Sequence, residues 1–330
     1  MELPTPGVDR PQEATPPRAP GSVRRTSSID ILWLPAPGIV ADDETALVLR
    51  AASQDVATGP DGSTSLLGRA ELTVWLDRRL VTRRLAAQPS TPLDALVGLP
   101  AAKGFRAAAR RVVGDSTSPL GLLLDDVPVA ALISGYAAMR SAGGGAVTGR
   151  RATTVLGMRD LCAGWRDGGT MMDSIDRGDG VPMPGLGSAP DLDRPDDPAS
   201  GDPAAPLPAG SLRRRRRIDV LARLPDGSTP LHATFRDTFA DPDGREGTLH
   251  EYALFARLDP AGRIAAIEAD PRVLPWPECP AAAAGVTALM GAELRDVPRL
   301  LPQGTSSCTH LNDLLRSLAG VDGLLSGRRG

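Results

Sequence analysis

Sulfur and nitrogen donors stand two positions apart in the stretch SSCTHLND, which spans residues 306–313. Cys308 and His310 are residue types that bind Zn²⁺ or iron, so this stretch raises the question of a metal site. A thiol near the start of a helix is also a potential nucleophile, because the helix dipole lowers its pKa. A third interpretation is that Ser307 or Thr309 caps a leucine-rich helix and the stretch only begins that helix.

Two further donors precede this stretch. His250 lies on a predicted strand, and Cys279 begins an alanine-rich helix after the segment PRVLPWPE. Each of these elements can direct a side chain into one cleft. Two cysteines with two histidines suit a tetrahedral zinc site, or less commonly an iron–sulfur cluster. The sequence therefore predicts a zinc or iron site formed by His250, Cys279, Cys308 and His310.

Non-metal interpretations of the same region remain open. His250 can be a half-buried strand residue and Cys279 a small buried hydrophobe, and no pair of cysteines has the C-x₂-C spacing of zinc motifs. A cleft between sheet and helices could instead hold a small apolar or acyl ligand against Trp276 and Tyr252. The chain could also be a structural or interaction protein that binds no metal.

Two kinds of catalysis are compatible with these residues. In the first, Cys308 is the nucleophile and His310 or His250 is its base. Asp313 or Glu251 would then orient that base. In the second, a metal with an open position activates water for hydrolysis, and Glu251 acts as general base. The residues do not decide whether the protein is an enzyme.

Composition and charge restrict the partners. The net charge is −3, so no overall basic field attracts nucleic acid. The run of five arginines at 213–217 is most simply a solvated strand start. Three cysteines indicate a reducing compartment, and the Pro-rich N-terminus has no apolar segment typical of a secretory signal. We therefore expect a cytoplasmic protein that spans no membrane and binds an unknown small molecule or protein.

The chain contains similar segments in its two halves. RRTSSIDILWLP at 24–35 resembles RRRRRIDVLARLP at 213–225, which aligns Ile29 with Ile218. Further on, Asp61-Gly62 aligns with Asp243-Gly244 and Leu76-Asp77 with Leu258-Asp259. In this alignment Gly68 stands where the second half has His250. We interpret the pattern as an internal duplication in which the site is present in the second copy only.

The predicted fold class is α+β, with two related modules that each consist of a small antiparallel sheet followed by helices. Side chains from His250 to Leu258 alternate with period two, and Asp259 to Gly262 is a turn before the returning strand RIAAIEA. The predicted divisions are a disordered leader at 1–21, a degenerate first module at 22–175, a flexible linker rich in Pro, Gly and Asp at 176–211, a second module at 212–322 and a tail at 323–330.

The second module resembles a family of uncharacterised bacterial proteins, the domain of unknown function 2889. The matching pieces are RRRRRIDV, HEYALFARLD, RIAAIEADPRVLPWPECP and CTHLNDLL, and LLLDDVPVAALISGYA extends the resemblance weakly into the first module. The resemblance implies no activity. It does imply that His250, Cys279, Cys308 and His310 coincide with recurring motif positions of the family.

The layout is also similar, at the level of the fold, to iron–sulfur cluster assembly scaffolds of the U type. That resemblance implies a ligand on a sheet hairpin, a cysteine at the next helix start and a His-Cys pair at a late helix. His250 or Glu251, then Cys279, then Cys308 with His310 follow this order. The motifs differ, since ECP replaces Gly-Cys-Gly and Cys-x-His replaces His-Cys, so the fold is better supported than the scaffold function.

Overall fold

Nine antiparallel strands form one continuous sheet. The computed structural model describes residues 8–14, 16–39, 42–114, 117–141, 157–192 and 205–326. The strand order across the sheet is β1-β9-β8-β7-β6-β2-β3-β4-β5. The strands are β1 (Val8–Asp9), β2 (Val23–Trp33), β3 (Leu47–Thr58), β4 (Thr64–Leu76), β5 (Thr82–Gln88), β6 (Leu212–Val220), β7 (Thr229–Ala240), β8 (Glu246–Leu258) and β9 (Ile264–Leu274).

Helices follow each run of strands and cover one face of the sheet, which confirms the predicted α+β class. The α-helices are α1 (Phe105–Val113), α2 (Pro119–Ser141), α3 (Thr170–Asp176), α4 (Val297–Leu300), α5 (Thr309–Ser317) and α6 (Val321–Ser326). The 3₁₀ helices include Ala163–Trp165, Cys279–Leu289 and Gly304–Ser306. The predicted alanine-rich helix is thus a 3₁₀ helix, and Cys308 immediately precedes α5.

Helix α2 is long and apolar. By length and composition, its residues Pro119–Arg140 could cross a membrane, although 67% of the apolar window is buried within the protein. Leu123, Leu124 and Val127 are fully buried in the core between α2 and the sheet. An apolar helix of this kind is also what the centre of a large core requires.

The two runs of strands meet where β2 pairs with β6 at the centre of the sheet. Arg25 pairs with Ile218, and Ile29 pairs with Arg214. In the predicted duplication Arg25 is equivalent to Arg214 and Ile29 to Ile218. The pair Arg25–Ile218 is therefore equivalent to the pair Arg214–Ile29. Such a self-complementary register is what a two-fold relation between the halves produces.

Two further features recur at equivalent positions of the halves. The β3–β4 ladder is irregular after Asp55, and the β7–β8 ladder is irregular after Asp237. Arg25 donates two hydrogen bonds to Asp55, and Arg214 donates two to Asp237. The duplication stays a prediction, which these repeated details support.

The arginine run on β6 is buried, so the prediction of a solvated strand start was wrong. Arg214 and Arg216 point to the helix side of the sheet, where they are 1% and 4% exposed. Arg213 points to the opposite face and pairs with Asp30. Buried guanidinium groups need carboxylate partners, and these partners lie on elements far away in sequence.

The helix-free face of the sheet is covered by described parts of the leader and linker. Strand β1 pairs with β9, and the backbone carbonyl groups of both segments accept hydrogen bonds from sheet arginines. These bonds are Arg24 to Pro16, Arg236 to Gln12 and Pro190, and Arg213 to Ala205. The predicted disorder therefore does not hold for the described residues. Residues 1–7, 15, 193–204 and 327–330 of the predicted leader, linker and tail lie outside them.

Candidate functional site

Two of the three histidines meet under α5, on the helix side of the sheet. His250 comes from β8 and His310 from the first turn of α5, and their rings stack with centroids 3.8 Å apart. Asp237 lies opposite His250 on β7. One ligand atom from each of these three side chains lies within 4.8 Å of the other two, so the arrangement could hold a metal ion.

Cys308 belongs to the edge of this group. Its Sγ lies 3.8 Å from Nδ1 of His310, although residues two apart on a regular helix do not face each other. The contact forms because Cys308 has extended backbone angles and precedes the helix. Burial raises the pKa of the Cys308 thiol to about 11. A neutral buried thiol is a poor nucleophile, and it would have to lose its proton to bind a metal.

Electrostatics fix the protonation states of His310 and Asp237. Burial lowers the pKa of His310 well below its usual value, and neighbouring His250 lowers it further. Burial opposes ionisation of Asp237, but two hydrogen bonds from Arg214 and the nearby His250 outweigh it and lower the pKa of Asp237. His310 is therefore neutral at pH 7 and Asp237 is ionised. Neutral imidazole is the form that binds metals.

Asp237 is better placed to orient a ligand than to be one. Both of its oxygens accept hydrogen bonds from Arg214, at 2.6 and 2.8 Å. Oδ2 also lies 3.4 Å from Nδ1 of His250, although this nitrogen has no hydrogen-bond partner among the described residues. A metal-binding histidine commonly directs its second ring nitrogen to a carboxylate. Because Nδ1 faces Asp237, Nε2 is the nitrogen of His250 that is left for a metal.

Asp313 anchors a buried ion-pair network beside the histidines. Arg214 and Arg216 donate to Oδ2 at 2.8 and 2.6 Å, and Arg106 donates to Oδ1 at 2.7 Å. Burial opposes ionisation of Asp313, but Arg216 and Arg106 outweigh it and lower its pKa. With both oxygens bonded to arginine, the carboxylate is not arranged to orient His310 as a base.

Asp126 makes the stability of this network depend on pH, which can be tested. Its Oδ1 accepts a hydrogen bond from Arg216, yet burial raises its pKa to about 6. Between pH 4 and pH 6, Asp126 is protonated in the folded state but ionised in the unfolded state. The free energy of unfolding therefore falls as the pH rises through this range, because the folded protein must then hold a buried ionised carboxylate. Two pKa units correspond to about 3 kcal/mol.

Denaturant unfolding of the wild type and Asp126→Asn should show this difference. We expect the free energy of unfolding of the wild type, relative to the variant, to fall by about 3 kcal/mol between pH 4 and pH 7. Asp243→Asn changes an exposed carboxylate and should show no such trend. A pH-independent difference for Asp126→Asn would contradict the raised pKa.

Glu251 lies on the opposite face of the sheet from His250. Successive strand residues point to opposite faces. Its carboxylate accepts hydrogen bonds from Arg236 and from the backbone N–H of Gln12, beneath the leader. Burial raises the pKa of Glu251 against the effect of Arg236. The structure therefore does not bring this predicted general base near His250 or His310.

Tyr252 and Trp276 are core residues. Tyr252 is 0% exposed and Trp276 is 4% exposed, and both pack in the core that contains Cys279 and Cys308. Two cavities of about 240 and 270 Å³ are lined by other residues, the first on the helix-free face and the second beside Glu278. Neither cavity is lined by Tyr252 or Trp276, and a ligand pocket against these two residues stays a prediction.

Cys279 is buried close to the other thiols. Burial raises its pKa well above the usual value, and Cys308 and then Cys162 raise it further. The hydroxyl of Tyr252 lies 3.3 Å from the carbonyl oxygen of Cys279. Neither Cys279 nor Cys308 belongs to the group of ligand atoms that lie within 4.8 Å of one another among the described residues. The structure thus brings His250 and His310 together with Asp237, places Cys308 against His310 and leaves Cys279 outside this group.

Asp237 and Arg214 were missed by the sequence reasoning. A signal for Asp237 was available, because a hairpin turn at Asp243-Gly244 places residues 237 and 250 at equal distances from the turn. The structure pairs these two residues. Nothing within the arginine run distinguished Arg214 from its neighbours as the partner of Asp237.

The comparisons place the site within a family domain. Residues 212–322 match the family model described as Protein of unknown function (DUF2889), which confirms the first resemblance for this part of the chain. No curated protein and no solved structure matches the chain. The similarity to iron–sulfur scaffolds stays a prediction. His250, His310, Cys308 and Asp237 all lie within the matched residues.

Proposed function

We propose that the domain of unknown function at residues 212–322 binds Zn²⁺ through His250, His310 and Cys308. The observation that carries the proposal is the meeting of Asp237, His250 and His310 within 4.8 Å, with the Cys308 thiol 3.8 Å from His310. Imidazole and thiolate together favour zinc over calcium or magnesium, which prefer oxygen ligands.

Burial and charge support this assignment. Nε2 of His310 is buried and has no hydrogen-bond partner among the described residues. A buried ring nitrogen without a partner is uncommon, and a metal would satisfy a nitrogen of this ring. The ion pair of Asp237 with Arg214 holds the carboxylate that orients His250. Glu251, the predicted general base for hydrolysis, lies on the other face of the sheet and does not face these histidines.

The test is the metal content and zinc affinity of the full chain purified without a histidine tag. We expect about one equivalent of zinc by elemental mass spectrometry. The zinc affinity of His250→Ala and His310→Ala should be weaker by more than about 100-fold, since even outer partners of metal ligands contribute about 10–100-fold. The proposal fails if the wild-type chain takes up no zinc from a buffered solution.

His232→Ala is the matched control. His232 is the third histidine, and its ring packs edge-on against Phe255 with centroids 5.0 Å apart. It lies on the helix-free face, because it pairs with Asp219 and neighbours the inward-facing Ala233. Its replacement should leave zinc affinity unchanged. Equal losses in His232→Ala and His310→Ala would indicate surface binding instead of the proposed site.

A further inference from the structure

A cavity open to solvent lies where the segment before α3 meets the family-matched residues. Its volume is about 270 Å³, slightly below the range of about 300–1,000 Å³ that is usual for small-molecule pockets. The lining residues are Asp160, Ala163, Arg166 and Asp167 of the segment, with Glu278, Ala281 and Thr305 of the matched part. Ala163 is buried, whereas Asp160, Arg166 and Asp167 are exposed. The cavity therefore suits a small ligand that enters from solvent.

Glu278 brings an incompletely bonded carboxylate to this cavity. Its Oε1 accepts hydrogen bonds from the backbone N–H and the hydroxyl group of Thr170, both at 2.9 Å, and so caps the start of α3. Its Oε2 is buried and has no hydrogen-bond partner among the described residues. Buried polar atoms rarely lack a partner, and a cationic donor is the strongest partner for a carboxylate oxygen. Oε2 is therefore the oxygen of Glu278 that a cationic ligand group would bind.

Arg166 brings the opposite charge to the same cavity. Its guanidinium group forms no hydrogen bond or ion pair with another described residue. The side chains of Arg166 and Glu278 both pack over Gly169, since a Cβ added there would lie 2.8 Å from Cγ of Arg166 and 3.4 Å from Cδ of Glu278. A guanidinium group binds a carboxylate through two parallel hydrogen bonds. The cavity thus offers an acceptor for a cation and, close to it, a donor for a carboxylate.

The other carboxylates of the cavity add to its negative charge. Asp167 pairs with Arg159, which does not line the cavity, and Oδ1 of Asp160 accepts a hydrogen bond of 2.9 Å from the backbone N–H of Asp167. Asp160 and Glu278 therefore outweigh Arg166, so the cavity attracts a cationic group. Arg166 repels a bare metal ion but would bind a carboxylate. A ligand that carries both an ammonium and a carboxylate group satisfies both sides of the cavity.

We infer that this cavity binds a free amino acid. The ligand ammonium group would donate to Oε2 of Glu278 and to Asp160, and the ligand carboxylate would accept from Arg166. A single carbon atom joins these two groups in an amino acid, which matches two protein side chains that pack over one glycine. The ligand would also connect the segment before α3 to the family-matched residues, because each side contributes one charged partner.

Isothermal titration calorimetry of the full chain tests the ligand class. The probes are the free L-amino acids of proteins, added one at a time at millimolar concentrations. We expect saturable binding of at least one of them. Its N-acetyl derivative lacks the ammonium group and its amide lacks the carboxylate, so each derivative should bind more than about tenfold more weakly, as for the loss of a hydrogen bond between charged groups.

Two variants test the protein side of the same contacts. Glu278→Gln removes the charge, while its amide oxygen can still accept the hydrogen bonds from Thr170. We expect Glu278→Gln and Arg166→Gln to bind the amino acid more than about tenfold more weakly than the wild type. The matched controls Glu268→Gln and Arg177→Gln replace exposed residues of the same types that do not line the cavity, and they should keep the wild-type affinity.

Three results would overturn the inference. The first is a wild type that binds no free amino acid, and the second is equal affinity for the amino acid and its two derivatives. Neither requires a variant to fold. The third is wild-type affinity in Glu278→Gln or Arg166→Gln, with the fold checked by circular dichroism. All three leave the zinc proposal untouched, because its ligands His250, His310 and Cys308 do not line this cavity.

Discussion

Asp313→Ala is expected to lower the free energy of unfolding by about 3–5 kcal/mol, the usual cost of removing one partner from a buried ion pair. Asp313 is 4% exposed and accepts hydrogen bonds from Arg106, Arg214 and Arg216. Without it, Arg214 retains Asp237 and Arg216 retains Asp126 as hydrogen-bonded carboxylate partners among the described residues. Excess buried positive charge then opposes folding.

Denaturant unfolding measures this effect. Asp226→Ala removes an aspartate whose side chain is 59% exposed, and it should cost no more than about 1 kcal/mol, as for exposed pairs. Replacement of Asp313 by asparagine keeps the side-chain volume and isolates the loss of charge. If Asp313→Ala were as stable as Asp226→Ala, the network would not contribute to the fold as described.

Zinc is expected to stabilise the folded chain by about 4 kcal/mol when its free concentration is 1,000 times the dissociation constant. The reason is that His250 and His310 come from β8 and α5, which meet only in the folded protein. The unfolded chain presents these donors separately and binds zinc weakly. The denaturation midpoint should therefore rise with zinc and return to its original value after chelation.

The His310→Ala variant separates specific from nonspecific stabilisation. Its midpoint should not respond to zinc, whereas the midpoint of His232→Ala should respond as the wild type does. A zinc-induced shift of equal size in His310→Ala would show that the ion acts elsewhere on the chain. An unchanged wild-type midpoint at saturating zinc would contradict preferential binding to the folded state.

Local periodicity accounts for the parts of the fold that could be predicted. The alternation from His250 to Leu258 correctly assigned one face of β8, because side chains on a strand alternate whatever lies around them. The same rule places Glu251 on the other face, so its position relative to His250 was predictable from sequence. The turns at Asp243-Gly244 and Asp259 to Gly262 were equally local.

Long-range pairing accounts for what could not be predicted. Arg216 bonds Asp126 and Asp313, which are 90 and 97 residues away in sequence. No residue near the arginine run predicts these two partners, and a basic run is ordinarily solvated. The hydrogen bond from the N–H of Ala163 to the carbonyl of Ser307 is long-range in the same way. The sequence therefore predicted which types of residue form the candidate site, but it did not predict which individual side chains meet there.

The central pairing of β2 with β6 also has a consequence during protein synthesis. Strand β2 ends at Trp33, whereas β6 begins at Leu212. While only the first half of the chain has left the ribosome, the backbone N–H and C=O groups of β2 that later pair with β6 have no partner strand. An open strand edge of this length is a template for pairing with other nascent chains. The risk of such pairing ends only when β6 has emerged and paired with β2.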